Sequence, residues 1–232
     1  YYDIAAANLS LGGEDPYDST DACDSGNPAR KAAIDLLRGA RIPTIVSSGN
    51  DGLTGQLTEP ACISSAISVG ATTKFDAVPS YSNSADFLSL LAPGSQIETS
   101  RSGGGFATGF GTSMAAPHVA GAWAAILEAV PGSNVAEVLF ALQSTGAPIF
   151  DGRNFVTKPR IDVAAAIEAL DAGIDIEDPL GAPAPPGFVP PPALPSSACG
   201  LVGLEAVVVC AGVRWLGGRA RQGAAPRGAA SA

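Results

Sequence analysis

Gly111-Thr112-Ser113-Met114-Ala115-Ala116-Pro117-His118-Val119-Ala120-Gly121 is the stretch on which the interpretation of this chain turns. A glycine bend delivers a serine to the start of a long apolar run, Ser113 to Val130, that ends at Pro131-Gly132. A helix is expected there, with the serine in its first turn. A hydroxyl at that place sits near unpaired backbone N–H groups and the positive end of the helix dipole. Such surroundings suit an oxygen nucleophile whose neighbouring oxyanion must be held. They equally suit an ordinary capping serine, so position alone decides nothing.

Outward from this helix, strand-like and helix-like segments alternate. Residues 4–9 are apolar and fit a buried strand. Pro28 to Arg38 fits a helix, with Asn27 as N-cap, Pro28 at the first position and Gly39 after its end. Ile42–Ser48 and Ala66–Val69 are short runs bounded by turn residues, as buried parallel strands often are. Leu88–Ala92 and Gln96–Ser100 flank the Pro93-Gly94 turn as further strands, and Asn134–Gln143 and Asp162–Leu170 fit helices. The alternation predicts an α/β fold with a mostly parallel sheet flanked by helices. That domain is expected over residues 1–172. A Pro/Ala-rich linker is expected over 173–197, where Pro185-Pro186 and Pro190-Pro191-Pro192 favour an extended chain. An apolar tail with a basic end is expected over 198–232.

Two further blocks accompany the Ser113 segment in order. Asn8-Leu9-Ser10-Leu11-Gly12-Gly13 precedes Val46-Ser47-Ser48-Gly49-Asn50-Asp51-Gly52, and Tyr81-Ser82-Asn83 and Leu91-Ala92-Pro93-Gly94 lie between that block and Ser113. Together these blocks resemble the subtilisin-like serine proteases, the subtilase family, over roughly residues 3–170. The resemblance implies a serine endopeptidase working through an acyl-enzyme, with Ser113 as nucleophile. It makes Asn50 the oxyanion donor, aided by the Ser113 backbone N–H and the Thr112 hydroxyl. An asparagine NH2 can serve a developing alkoxide without adding an acid or a base. Removing one such donor costs about 10²–10³ in kcat, a magnitude taken from a subtilisin itself. Ser10, Leu11 and Gly12 would add a strand to an extended peptide, and Ser47, Ser48 and Gly49 would wall the pocket beside the scissile bond. The resemblance also suggests a Cys23–Cys62 disulfide and a cis Glu59–Pro60 bond. Gly103-Gly104-Gly105 lacks the Lys and the strand–helix setting of a phosphate-binding loop and is expected to be a loop near the site.

The triad of the resembled family runs Asp, His, Ser along the chain. This sequence holds one histidine, His118. On a helix it lies about 140° around the axis from Ser113, so a packing role is expected for it. The triad Asp and His are therefore expected upstream of Tyr1, and these 232 residues alone are expected to be a nearly inert fragment. Asp3-Ile4-Ala5-Ala6-Ala7-Asn8-Leu9 reads at once as core sequence, which supports the same expectation. The alternative is a non-catalytic relative that binds peptides at a cell surface.

Net charge is −12 over residues 1–197 and +3 over 198–232, which gives −9 for the chain. An acidic body repels phosphate backbones and argues against nucleic acid as partner. The expected partner is a protein or peptide substrate, with a propeptide as a further candidate. No cofactor is required for the chemistry. Glu14, Asp15, Asp18, Asp21 and Asp24 form an acidic loop whose spacing matches no EF-hand, so structural calcium remains an unassigned option and no metal ligands are named. Met114, beside the nucleophile, is open to oxidation to a bulkier sulfoxide. The expected location is secreted or cell-surface, in a bacterial envelope. Attachment would run through the tail, where Cys199–Leu216 is apolar save Glu205 and Arg214.

Overall fold

The computed structural model describes residues 4–173. The linker and tail expected from the sequence lie outside the described residues. In chain order the elements are β1 (Ala7–Leu9), β2 (Pro16–Tyr17), α1 (Thr20–Gly26), α2 (Pro28–Gly39), β3 (Thr44–Ser47), β4 (Leu57–Thr58) and β5 (Ile67–Thr72). Then come β6 (Leu90–Pro93), β7 (Ser95–Ser100), β8 (Phe106–Phe110), α3 (Thr112–Ala129), α4 (Val135–Thr145), β9 (Ala147–Asp151), β10 (Val156–Arg160) and α5 (Val163–Asp171).

A six-stranded sheet in the order β1-β3-β5-β6-β10-β9 organises the domain. β1, β3, β5, β6 and β10 run parallel, and β9 turns back antiparallel on β10 at one edge. This is the mainly parallel α/β architecture that the alternation of segments implies. Two small antiparallel pairs, β2–β4 and β7–β8, stand apart from it.

Strand periodicity splits the core in two. Ile45, Ile67, Val69, Ala71, Leu90 and Ala92 point to the face covered by Ala116, Val119, Trp123 and Ile126 of α3 and Val138 and Leu142 of α4. Val46 and Leu91, one residue out of phase, point to the opposite face with Ile34 of α2, Leu57, Ile63 and Ile149. With both faces covered, β3 and β5 are buried at every residue, including the small polar Thr44, Ser47, Ser68 and Thr72. Cys23 and Cys62 form a disulfide inside the second cluster, with Cα atoms 5.8 Å apart.

Helix ends follow local chemistry. Asn134 caps α4 with a reciprocal box, its Oδ1 accepting from Ala136 and Glu137 N while the Glu137 carboxylate accepts from Asn134 N. Asp162 caps α5 through Ala165 N. Asn27 precedes α2 as expected but makes no side-chain cap. Its amide instead donates to the Tyr17 hydroxyl and Cys23 carbonyl, and its Oδ1 accepts from Arg30. Gly39 closes the helix from inside it rather than from beyond its end.

Candidate functional site

The candidate site forms where the carboxyl ends of β1 and β3 meet the amino end of α3, the side of a parallel sheet where open α/β folds hold ligands. Beyond β1, Ser10, Leu11 and Gly12 are exposed. Ser47 is buried and its hydroxyl donates to the carbonyls of Leu11 (3.1 Å) and Leu9 (3.5 Å), tying the first segment to β3. Ser48 is fully buried and donates to the Asn83 carbonyl at 3.0 Å. Of the wall residues expected from the sequence, only Gly49 keeps part of its surface open.

Ser113 is the second residue of α3 and is half-buried. Gly111 precedes the helix at φ 131°, a conformation that side chains beyond glycine rarely adopt. Asn50 approaches from the turn after β3. Its Oδ1 accepts from Thr112 N at 2.8 Å and from the Thr112 hydroxyl at 3.1 Å. Thr112 is fully buried, and its hydroxyl also accepts from Gly49 N at 3.2 Å. The hydroxyl is thus spent inside the protein, holding the asparagine. Asn50 itself is exposed, and its NH2 has no hydrogen-bond partner among the described residues.

Pro117 explains a second link. In a regular helix the N–H at position 117 would bond the Ser113 carbonyl, but proline has none. The Ser113 carbonyl accepts instead from the Ser10 hydroxyl at 2.9 Å, and that hydroxyl accepts from Asn8 Nδ2 at 3.0 Å. The loop expected to receive substrate backbone is thereby fastened to the residue expected to attack it.

His118 is exposed, with Nδ1 2.7 Å from the Met114 carbonyl. Met114 is half-buried and, with Ile97, Glu98, Thr99, Pro117, His118 and Gly121, lines an open groove of ≈ 470 Å³. Gly103, Gly104 and Gly105 all take positive φ in the turn joining β7 to β8. The Glu59–Pro60 bond is cis, and the Glu59 carbonyl accepts from Gly13 N at 2.7 Å. The acidic segment expected to be a loop is partly helical: Asp21 and Asp24 lie on α1, and Asp24 accepts from the Ser64 N–H (3.0 Å) and hydroxyl (2.6 Å). Among the described residues no group of three or more His, Cys, Asp or Glu side chains could hold a metal ion.

Two participants carried no role in the sequence. Asn83, fully buried, holds the turn that carries Asn50. Arg153 donates to the carbonyls of Ser80 and Ser82, both at 2.9 Å, and pairs with Asp151 at 2.6 Å, so the β9–β10 hairpin pins the segment leading to Asn83. Only the order Tyr81-Ser82-Asn83 hinted at the first, and nothing local marked the second.

A family profile describing the subtilase family matches residues 3–156. The alkaline serine exoprotease A of Vibrio alginolyticus is 34% identical over 186 residues, 79% of this chain and 32% of that protein. Subtilisin amylosacchariticus of Bacillus subtilis subsp. amylosacchariticus is 35% identical over 164 residues, 69% of this chain and 40% of that protein. Among solved structures, a cold-adapted subtilisin-like serine proteinase superposes with a TM-score of 0.55 at 35% identity, covering 66% of this chain and 53% of that one. The patellamide maturation protease PatA does so with 0.63 at 26% identity, covering 73% and 64%. The fold and the motifs define a subtilisin-like α/β domain. The chain belongs to the subtilase family, and it spans 32% and 40% of the length of these two curated relatives.

Proposed function

We propose that this chain is the nucleophile-bearing part of a serine endopeptidase. Family membership supports the peptidase role. The observation that carries the finer reading is the convergence of Asn50 and the Ser113 helix terminus through Thr112. Ser113 Oγ attacks the scissile carbonyl to give an acyl-enzyme, and the Asn50 NH2 with the Ser113 N–H stabilises the oxyanion. Thr112 holds Asn50 by its oxygen so that the NH2 remains for the substrate. Ser10, Leu11 and Gly12 take the peptide backbone, and Gly49 borders the pocket before the cut.

The attacking hydroxyl needs a base. The one histidine in these 232 residues is engaged with its own helix through Met114, so the triad Asp and His are assigned to polypeptide outside them. Secretion is supported by the buried Cys23–Cys62 disulfide, since such bonds persist in oxidising compartments. Pairing with a propeptide and surface attachment through the tail remain parts of the same proposal. The single histidine also favours a second reading, a non-catalytic peptide-binding relative. A fluorophosphonate probe separates the two. In the full-length protein it is expected to label Ser113 and to fail on Ser113→Ala. Absence of labelling at Ser113 in folded full-length protein refutes the protease and leaves the binder.

A further inference from the structure

We propose that Asn83 is the positioning residue of the oxyanion hole, the template on which the Asn50 turn is built; this rests on the protease reading above. Asn83 lies on the segment between β5 and β6, more than thirty residues beyond the turn it serves. Its side chain is fully buried, and every hydrogen-bonding position of its amide is used on that turn. Oδ1 accepts from the N–H groups of Asp51 and Leu53, both at 3.0 Å. Nδ2 donates to the Ser48 carbonyl at 3.1 Å and to Asp51 Oδ2 at 3.2 Å. Its backbone joins in, with Asn83 N donating to the Gly49 carbonyl at 3.1 Å and its own carbonyl accepting from the Ser48 hydroxyl at 3.0 Å. Asn50 is thus bracketed, with Ser48 and Gly49 fixed before it and Asp51 and Leu53 after it. The Asn50 side chain makes no hydrogen bond to the template among the described residues; its hydrogen bonds go to Thr112.

This arrangement specifies an amide. Two N–H donors converge on one end and two acceptors on the other, so a carboxylate serves only the first pair and a hydroxyl cannot span both. It also explains glycine at position 49, where an added Cβ would lie 2.2 Å from Asn83 Nδ2. Because Asn83 touches neither substrate nor nucleophile in this scheme, it acts through the placing of Asn50. Displacing a catalytic group by about 1 Å can cost roughly 10²-fold in rate.

The test is a double-mutant cycle in the full-length protein, with kcat and KM measured on a peptide substrate alongside amide hydrogen exchange. N83D keeps the side chain's shape, removes both donors and sets a second carboxylate against Asp51. It is expected to lower kcat about 10- to 100-fold with KM changed less than about threefold, and to speed exchange at the Asp51 and Leu53 amides. On an Asn50→Ala background the same change is expected to cost less than about twofold, because the group it places is already gone. Adding Asp51→Asn to N83D restores a donor opposite the new carboxylate and is expected to recover part of kcat. Asn83→Ser, which adds no charge, covers the case in which N83D fails to fold. Equal losses with and without Asn50, or unchanged kcat, overturn the proposal, as does unfolding of both Asn83 variants, which would make the residue a general scaffold element. Turnover that survives Ser113→Ala sinks the protease reading instead, and unchanged exchange at Asp51 and Leu53 then overturns the template by itself.

Discussion

Gly49 adopts φ 106°, and the space where its Cβ would go is filled by the Asn83 amide. Gly49→Ala therefore meets both a backbone conformation that L-residues avoid and a clash with a group that cannot retreat, being bonded at both ends. A loss of about 2–4 kcal/mol in unfolding free energy is expected, read from the urea midpoint; a variant within about 0.5 kcal/mol of the parent contradicts this account of the turn. Asp151 gives a pH dependence. Its side chain is 3% exposed. Burial pushes its carboxyl up, but the hydrogen bonds and charge of Arg153 outweigh burial and hold it below the usual carboxylate value. A depressed pKa stabilises the fold above the unfolded carboxylate's range, and the gain fades as pH falls through it toward the lower folded value. Arg153→Ala is expected to cost about 3 kcal/mol near neutral pH and clearly less in acid below about pH 4. Equal losses at both pH values contradict the assignment. Ser113 and Asn50 stand out as candidates in the sequence because each sits inside a distinctive local string. Asn83 and Arg153 do not, because their partners lie far along the chain and no short string records a meeting in space.

At the scale of elements, the amino end of α3 depends on a bond that its own helix cannot make. Pro117 leaves the Ser113 carbonyl to the Ser10 hydroxyl, which couples the helix to the end of β1. Ser10→Ala removes that tie and is expected to lower kcat several-fold while costing about 1 kcal/mol of stability. A change in KM alone would show that Ser10 contacts substrate without steadying the nucleophile. Asn134→Ala removes the α4 capping box and is expected to cost about 1 kcal/mol by thermal or urea unfolding, with turnover unchanged. Helices with their own punctuation were read to within two residues, as Pro131-Gly132, Asn134 and Asp162 mark their limits. α1 was missed because Thr20–Gly26 is short and polar and buries only Cys23. The β9–β10 hairpin was missed for another reason. Its strands carry Pro148 and Pro159 and an exposed Phe150, and they are held by each other and by Arg160 meeting Leu91 rather than by a pattern of their own.

Across the whole molecule, the disulfide does what neither core cluster does alone. Cys23 on α1 is joined to Cys62, 39 residues on, and both are fully buried. The bond thus fastens a polar helix of little intrinsic stability to the apolar layer beneath the sheet, beside Ile34, Val46, Leu57 and Ile63. Closing a loop of that length restricts the unfolded chain by about 4 kcal/mol in the chain-entropy account. The pair Cys23→Ala and Cys62→Ala is therefore expected to lower unfolding free energy by about 3–4 kcal/mol, which for a domain of this size is a fall in Tm on the order of 10 °C. The loss has to appear in the double variant as in either single one, because breaking the crosslink once releases the whole loop. A single variant that loses clearly more than the double would point to an unpaired buried thiol rather than to loop entropy. Since the two sulfurs are bonded to each other, thiol reagents are expected to find no free cysteine at 23 or 62 in the folded protein or after unfolding without reductant, and two after unfolding with reductant. A free thiol at either position before unfolding would remove the bond, and with it the physical support for an oxidising compartment.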